Sequence, residues 1–349
     1  MNVAIFLPGW IGDAVMATPA IRALRRHFVG AHFAAVVKPY VKAVLDGSPW
    51  FDEVIPYHGG PWTQGVLGTA WKLRRHRPDI AILFPNSARS AIAARLGGAT
   101  RVVGYARYGR SSLLSDKVEP MRHPDGAIIV SPVLDAYNRL AEQVGCPPPG
   151  HELELFTTPE DEKAARGVWE AGRFDDFPEV VCLNPGAAFG AAKHWPADYF
   201  AGLARDLVDR RGCGVLVLCG PAERQLAGDI AAATGRPGVF ALGDLVTRAG
   251  IGLSIGLTKA CVRRADLLVT TDSGPRHFAH AFDRPVVTLF GPTHIAWTET
   301  YHLRAIHLQK PVPCGPCQRR VCPLDHRCMK ELTPGEVFDA AESLLQGSS

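Results

Sequence analysis

Three short segments carry residues whose types and spacing suit the handling of a phosphorylated ligand. The first, residues 267–277, reads L-L-V-T-T-D-S-G-P-R-H. Its β-branched, apolar start is the signature of a buried parallel strand. Asp272, Ser273 and Gly274 then suit a tight turn and a helix N-cap, and Pro275 suits the first helical turn. A helix that starts past the carboxyl end of such a strand offers unpaired N–H groups and partial positive charge to an anion. Arg276 and His277 add cationic or donor groups, and Gly274 lets a ligand approach the backbone. An ordinary strand–loop–helix connection has the same pattern, so the segment has to be read with others.

The second segment, residues 183–196, reads L-N-P-G-A-A-F-G-A-A-K-H-W-P. It is small-residue-rich and ends in a cation, an imidazole and an indole before Pro196. Lys193 could neutralise a departing diphosphate, whereas Trp195 reads as a core residue. Nearby, C-G-P-A-E (219–223) follows another strand. Its Glu223 suits a ribose diol, as acidic residues do in many nucleotide folds, or simply caps a helix. The third segment, F-L-P-G-W-I-G-D (6–13), places Gly12 and Asp13 where a loop enters a helix. Asp13 is open to two roles there: helix cap, or general base that takes the proton of an acceptor hydroxyl. Held by helix N–H groups, it would be ionised but a weak base.

The elements that must position these residues alternate regularly. Strand-like runs lie at 3–7, 32–37, 53–55, 79–84 and 101–103, with helical spacing at 18–28, 62–75, 87–96 and 133–144. A second series has strands at 180–184, 214–218, 239–241, 267–270 and 286–290, with helices near 199–211, 222–234, 255–265 and 276–282. Such alternation predicts α/β architecture with parallel sheets covered on both faces. The two series predict two Rossmann-like domains, at 1–160 and 175–328, joined around 155–178 and facing across a cleft. A last helix within 329–349 opens on Thr333-Pro334 with Glu336 at the capping-box position, and is expected to pack back on the first domain.

Composition narrows the classes. A chain of 349 residues is comfortable for two domains, and 47% hydrophobic with 21% charged residues is ordinary for a globular protein. A formal charge of +4 without basic blocks gives no case for nucleic acid. The opening M-N-V-A-I-F-L-P-G-W lacks a basic leader and reads as a strand, and no run of about 18 apolar residues suggests a membrane span. Cys146, Cys182, Cys213, Cys219 and Cys261 lie scattered in apolar runs, as buried thiols of a reducing cytoplasm do. Neither G-x-G-x-x-G after a first strand nor a P-loop motif occurs, which removes the main support for nicotinamide or P-loop nucleotide binding.

Taken together, G-W-I-G-D, P-G-A-A-F-G-A-A-K-H-W-P, T-D-S-G-P-R-H and the late P-C-G-P-C…C-P…C-M-K-E-L-T-P resemble glycosyltransferase family nine, the ADP-heptose:lipopolysaccharide heptosyltransferases. The resemblance is nearest to the heptosyltransferase II type. It implies a GT-B fold, with the acceptor on the first domain and the ADP-sugar mainly on the second. It also implies an inverting, metal-independent transfer to the heptosyl-Kdo2-lipid A inner core, in the cytoplasm at the inner leaflet. By motif position Asp13 would be the base and Lys193 a diphosphate contact. Gly12, Glu223, Asp272, Ser273, Gly274, Arg276 and His277 would attend the donor. Asn86 and Arg89, in F-P-N-S-A-R-S (84–90), would attend the anionic acceptor, Arg89 by a bidentate pair. Arg101, Arg107 and Arg110 read as a solvated basic face. Two departures, Ala188 for the family's usual Glu and Pro275-Arg276 for its apolar pair, bear on the donor sugar. A related enzyme with another nucleotide sugar, and a non-catalytic binder of sugar nucleotides, are the rival readings.

Cys314, Cys317, Cys322 and Cys328 stand in C-x2-C-x4-C-x5-C spacing with His326 among them. Two readings are equally open, a structural zinc or a reduced, locally packed cluster, and a third, a disulfide pair, is disfavoured in a reducing cytoplasm. Catalysis needs no metal there.

Overall fold

The computed structural model describes residues 1–58 and 63–347. It divides into two compact units, residues 1–156 with 296–300, and residues 157–295 with 301–349. The first unit runs β1 (Asn2–Phe6), α1 (Ile11–Met16), α2 (Thr18–His27), β2 (His32–Val37), α3 (Pro39–Leu45) and β3 (Glu53–Pro56). A π-helical turn at Thr63–Leu67 leads into α4 (Gly68–His76), followed by β4 (Ile80–Leu83), α5 (Ala88–Leu96), β5 (Arg101–Tyr105), β6 (Asp116–Val118) and α6 (Val133–Glu142). Position 62, where the sequence starts the fourth helix, lies outside the described residues.

The strands form one sheet, β3-β2-β1-β4-β5-β6, with every pairing parallel. Val3, Ala4 and Ile5 of β1 and Ala81, Ile82 and Leu83 of β4 are fully buried. Helices on both faces demand such unbroken apolar runs. Chain order reverses between β1 and β4, so the loops after these two strands diverge and leave a crevice at their carboxyl ends. Asp13 follows β1, and Asn86 and Arg89 follow β4.

The second unit repeats the plan. It runs α7 (Pro159–Gly172), β7 (Val180–Asn184), α8 (Ala197–Arg211), β8 (Gly214–Val217), α9 (Arg224–Thr234), β9 (Val239–Ala241), α10 (Leu242–Arg248) and α11 (Ile255–Arg264). Then come β10 (Leu267–Thr271), α12 (Gly274–Ala281), β11 (Val286–Phe290), β12 (Ala305–Gln309), α13 (Arg327–Lys330) and α14 (Pro334–Gln346). Its parallel sheet has the order β12-β11-β10-β7-β8-β9. The reversal here falls between β7 and β10, the strands that feed the Lys193 and Asp272 loops.

The structure differs from the sequence reading at several elements. The edge strands β6 and β12 were not anticipated, because a strand with one unpaired edge need not be uniformly apolar: β12 is half-buried throughout. Helix α7 occupies what read as a linker, although Thr158 and Asp161 form a full capping box at its start. The last helix does have the expected capping box at Thr333 and Glu336. It packs on α8 and β11, burying Val337, Phe338, Ala341 and Leu345, and so belongs to the second unit. Among the described residues no helix is long and apolar enough to cross a membrane.

Candidate active site

In the second unit the β10 strand ends in a buried ionic knot. Asp272, only 4% exposed, accepts from Lys193 Nζ at 2.5 Å on Oδ2 and from Thr293 Oγ1 at 2.7 Å, and faces Arg276 Nη1 at 3.4 Å on Oδ1. Lys193 also donates to the Asp272 carbonyl at 2.8 Å and stands 4.9 Å from the Phe189 ring. Burial alone would raise the Asp272 carboxyl. The Lys193 and Arg276 charges, with donors from Lys193 and Thr293, outweigh it and hold the group at about 2. Asp272 is therefore the anchor of two cations, and the knot carries one net positive charge.

Around it the loop backbone is pinned. Asn184 Nδ2 donates to Thr270 Oγ1 at 3.0 Å and to Ser273 Oγ at 2.9 Å, and Thr271 Oγ1 donates to the Gly186 carbonyl at 2.9 Å. Ser273 is the N-cap residue of α12, and Gly274 opens that helix. Its backbone conformation is the extended one a cap requires, yet its hydroxyl is engaged by Asn184 instead of capping the helix. Burial, then the Arg276 charge, push His277 well below the usual imidazole range, so it is neutral at pH 7, and its Nδ1 is buried without a hydrogen-bond partner. Asn184 is the residue whose part in this arrangement the sequence reading missed; its only signal was a polar residue closing an apolar strand.

Glu223 lies at the end of β8 and caps its own turn, accepting from the Gly220 N–H at 2.9 Å. It also lies directly over Gly186: a Cβ there would stand 2.1 Å from Oε1, so only glycine admits the carboxylate beside the β7 loop. Trp195 is a core residue, 3% exposed, with its Nε1 donating to the Leu332 carbonyl at 2.8 Å.

The cysteine segment braces this same loop. Ala192 N donates to the Arg320 carbonyl at 3.0 Å, and His326 Nε2 lies 2.8 Å from the Ala192 carbonyl. Gly190 sits at φ +152°, and a Cβ there would strike the Arg320 carbonyl at 2.4 Å. Cys314, Cys317, Cys322 and Cys328 line one cavity of about 20 Å³ with His326 and Ala192. All nine cysteines are unpaired thiols. Burial, and then the neighbouring Cys322, Cys314 and Cys317, push Cys328 up to about 11. No three of these ligand atoms gather within 4.8 Å of one another, and the lobe as it stands is held by chain contacts.

In the first unit, Trp10 is the N-cap residue of α1, which makes Gly12 and Asp13 first-turn residues. Asp13 is thus not the cap. Its field adds to burial in raising the Tyr137 hydroxyl, which places the carboxylate near that ring. On the β4 side, Ser87 caps α5 by accepting from Ser90 N at 3.2 Å, and Arg89 stands in the first turn. Arg110 departs most from the sequence reading. It is no solvated cation but 0% exposed, and it organises the whole β4 loop. It donates to the carbonyls of Tyr105 (3.0 Å), Pro85 (2.6 Å) and Ser87 (3.2 Å) and to Asn86 Oδ1 (3.1 Å). Burial, and then Arg107, lower it to about 10. Asn86 is accordingly committed in part to Arg110.

Two units of Rossmann strand order, each with polar groups at its reversal point and a cationic knot in the second, make a two-domain α/β protein suited to an anionic ligand at the strand ends. The chain matches glycosyltransferase family 9 (heptosyltransferase) over residues 67–327, and it belongs to that family. It is 26% identical to lipooligosaccharide heptosyltransferase 2 of Campylobacter jejuni, over 100% of this chain and 99% of the relative. It is also 26% identical to lipopolysaccharide heptosyltransferase 2 of Escherichia coli, over 99% of each. Among solved structures, E. coli ADP-heptose LPS heptosyltransferase II superposes with a TM-score of 0.78 at 22% identity, over 100% of this chain and 99% of that one. The family 9 glycosyltransferase of Veillonella parvula superposes at 0.82 and 22% identity, over 99% and 97%.

Proposed function

We propose that the protein transfers heptose from ADP-L-glycero-D-manno-heptose to the heptosyl-Kdo2-lipid A inner core of lipopolysaccharide, with inversion and without a metal. The full-length similarity to heptosyltransferases 2 supports this donor and acceptor. The observation that carries the chemistry is the Lys193–Asp272–Arg276 knot at the start of α12. When the acceptor oxygen attacks C1, the C1–O bond to the diphosphate breaks and ADP departs with the electron pair. Charge then grows on the β-phosphate, where Lys193 and the N–H groups of Ser273 and Gly274 would receive it. One such preorganised donor typically contributes about 3 kcal/mol. Asp13 takes the acceptor's proton, and Glu223 holds the ribose.

Asn86 and Arg89 would hold the acidic acceptor, shaped by Arg110 from below. Arg276, 2% exposed and paired with Asp272, spends its charge inside the protein. Its departure from the family pattern therefore adds no exposed cation that would call for a different donor. Contact with the inner leaflet would suit α4, which exposes Trp71 beneath Arg75, with the guanidinium 3.8 Å from the ring.

The test is ADP release from ADP-heptose with and without heptosyl-Kdo2-lipid A. Release that needs the acceptor and vanishes in Asp13→Asn supports the reading. Donor binding with no release, whatever the core acceptor, would replace it with the binding-protein reading.

A further inference from the structure

Far from both loops, at the amino-terminal edge of the first sheet, three metal-binding side chains meet. His32 opens β2, Glu53 opens β3 and His76 closes α4. Their ligand atoms all lie within 4.8 Å of one another, and among the described residues no other set of three or more His, Cys, Asp or Glu does this. His76 Nδ1 is 3.4 Å from Glu53 Oε2, and the two imidazole rings stand 5.0 Å apart. The His76 side chain is only 3% exposed, while its Nε2 is buried with no hydrogen-bond partner. Nδ1 is the nitrogen turned toward Glu53 and the one an ion between them would take, whereas Nε2 lies on the other side of the ring and is no part of that contact.

We propose that His32, Glu53 and His76 form a binding site for a divalent transition ion of the zinc class. Two imidazoles and one carboxylate are a three-ligand set that zinc takes with water in its fourth position. At bond lengths of 2.0–2.1 Å a tetrahedral ion needs donor atoms about 3.4 Å apart. His76 and Glu53 already stand at that spacing, and no pair in the set has to close by more than about 1.4 Å. His32 and Glu53 are exposed and can swing to do so, while buried His76 supplies the fixed point. Such an ion would tie together β2, β3 and α4, elements otherwise joined at this edge by strand pairing and by Asn2, which donates to the His76 carbonyl at 2.7 Å. Asp52, also at this edge, is already matched: it accepts from Arg25 at 2.8 Å and from Phe33 N at 2.8 Å. The site lies at the opposite end of the strands from Asp13, so its role is structural.

The experiment titrates the metal-free full chain with Co²⁺ and Zn²⁺, following the cobalt spectrum and calorimetric binding. The proteins compared are wild type, His32→Gln, Glu53→Gln and the Cys314→Ser/Cys317→Ser double variant. The expected result is one equivalent bound with a nitrogen–oxygen cobalt spectrum, at least about tenfold weaker in His32→Gln and in Glu53→Gln and unchanged in the cysteine variant. Both His32 and Glu53 are exposed, so these variants keep the fold. A spectrum dominated by thiolate-to-cobalt charge transfer, lost in the cysteine variant and indifferent to His32→Gln, would overturn the assignment. So would the absence of binding at micromolar metal.

Discussion

Replacing Asp272 by Asn is the perturbation that most directly probes the buried knot. Its carboxyl is held at about 2, against 3.8 for a free aspartate, despite being 4% exposed. That difference corresponds to about 2 kcal/mol of stability at neutral pH. Because the folded-state value is the lower one, this contribution is present above about pH 4 and is lost as pH falls toward 2. The amide removes more than this, since Lys193 and Arg276 are then left buried beside each other without their counter-ion. Breaking a buried pair from one side typically costs 3–5 kcal/mol. For a unit of this size that lowers the melting temperature by roughly 10 °C. The assay is denaturant unfolding followed by tryptophan fluorescence, on Asp272→Asn, Lys193→Met and the double variant. The double variant should recover at least about 1 kcal/mol relative to the sum of the singles, because it deletes one of the stranded cations. If Asp272→Asn unfolds at the wild-type midpoint, or the two changes simply add, the knot is not the energetic unit described.

Four further outcomes follow from the same geometry. Asp13→Asn should lower acceptor-dependent ADP release by about 10²–10⁴-fold while leaving ADP-heptose binding unchanged by calorimetry. Arg110→Lys keeps a charge but loses the fork that holds Pro85, Asn86 and Ser87. It should destabilise the first unit by about 3 kcal/mol or more, and raise the acceptor KM more than it lowers donor affinity. His277, kept neutral by burial, binds no proton in the folded state where the unfolded chain does. Stability should therefore fall as pH drops below about 6.5, by up to about 1.4 kcal/mol per pH unit, and His277→Asn should flatten that slope in urea titrations at pH 5 to 7. Prolonged chelation should leave the transfer rate unchanged, and a rate restored only by added metal would refute the metal-independent reading.

Much of the architecture was legible from periodicity alone. Strands at 32–37, 180–184, 239–241 and 286–290 emerge with the bounds that the apolar runs dictate, since a strand covered on both faces must be apolar throughout. The three loops could also be found, because turn glycines, a proline at a helix start and clustered polar residues are local signals. Edge strands β6 and β12 escaped, as did α10, because their burial comes from neighbours distant in sequence.

The sequence by itself determined which residue types stand at the carboxyl ends of β1, β4, β7, β8 and β10, and it carried the resemblance to family 9. Only the tertiary structure decided what those residues do to one another. Asp272 holds Lys193 from a loop 79 positions away. Arg110 is buried as the support of Asn86, 24 positions earlier. Glu223 rests on Gly186, and the last helix lies on the second unit. Local patterning encodes backbone conformation and the direction of burial, but charge pairing depends on which strands become neighbours. A parallel sheet sets that by crossover connections spanning tens of residues, beyond the reach of any local pattern.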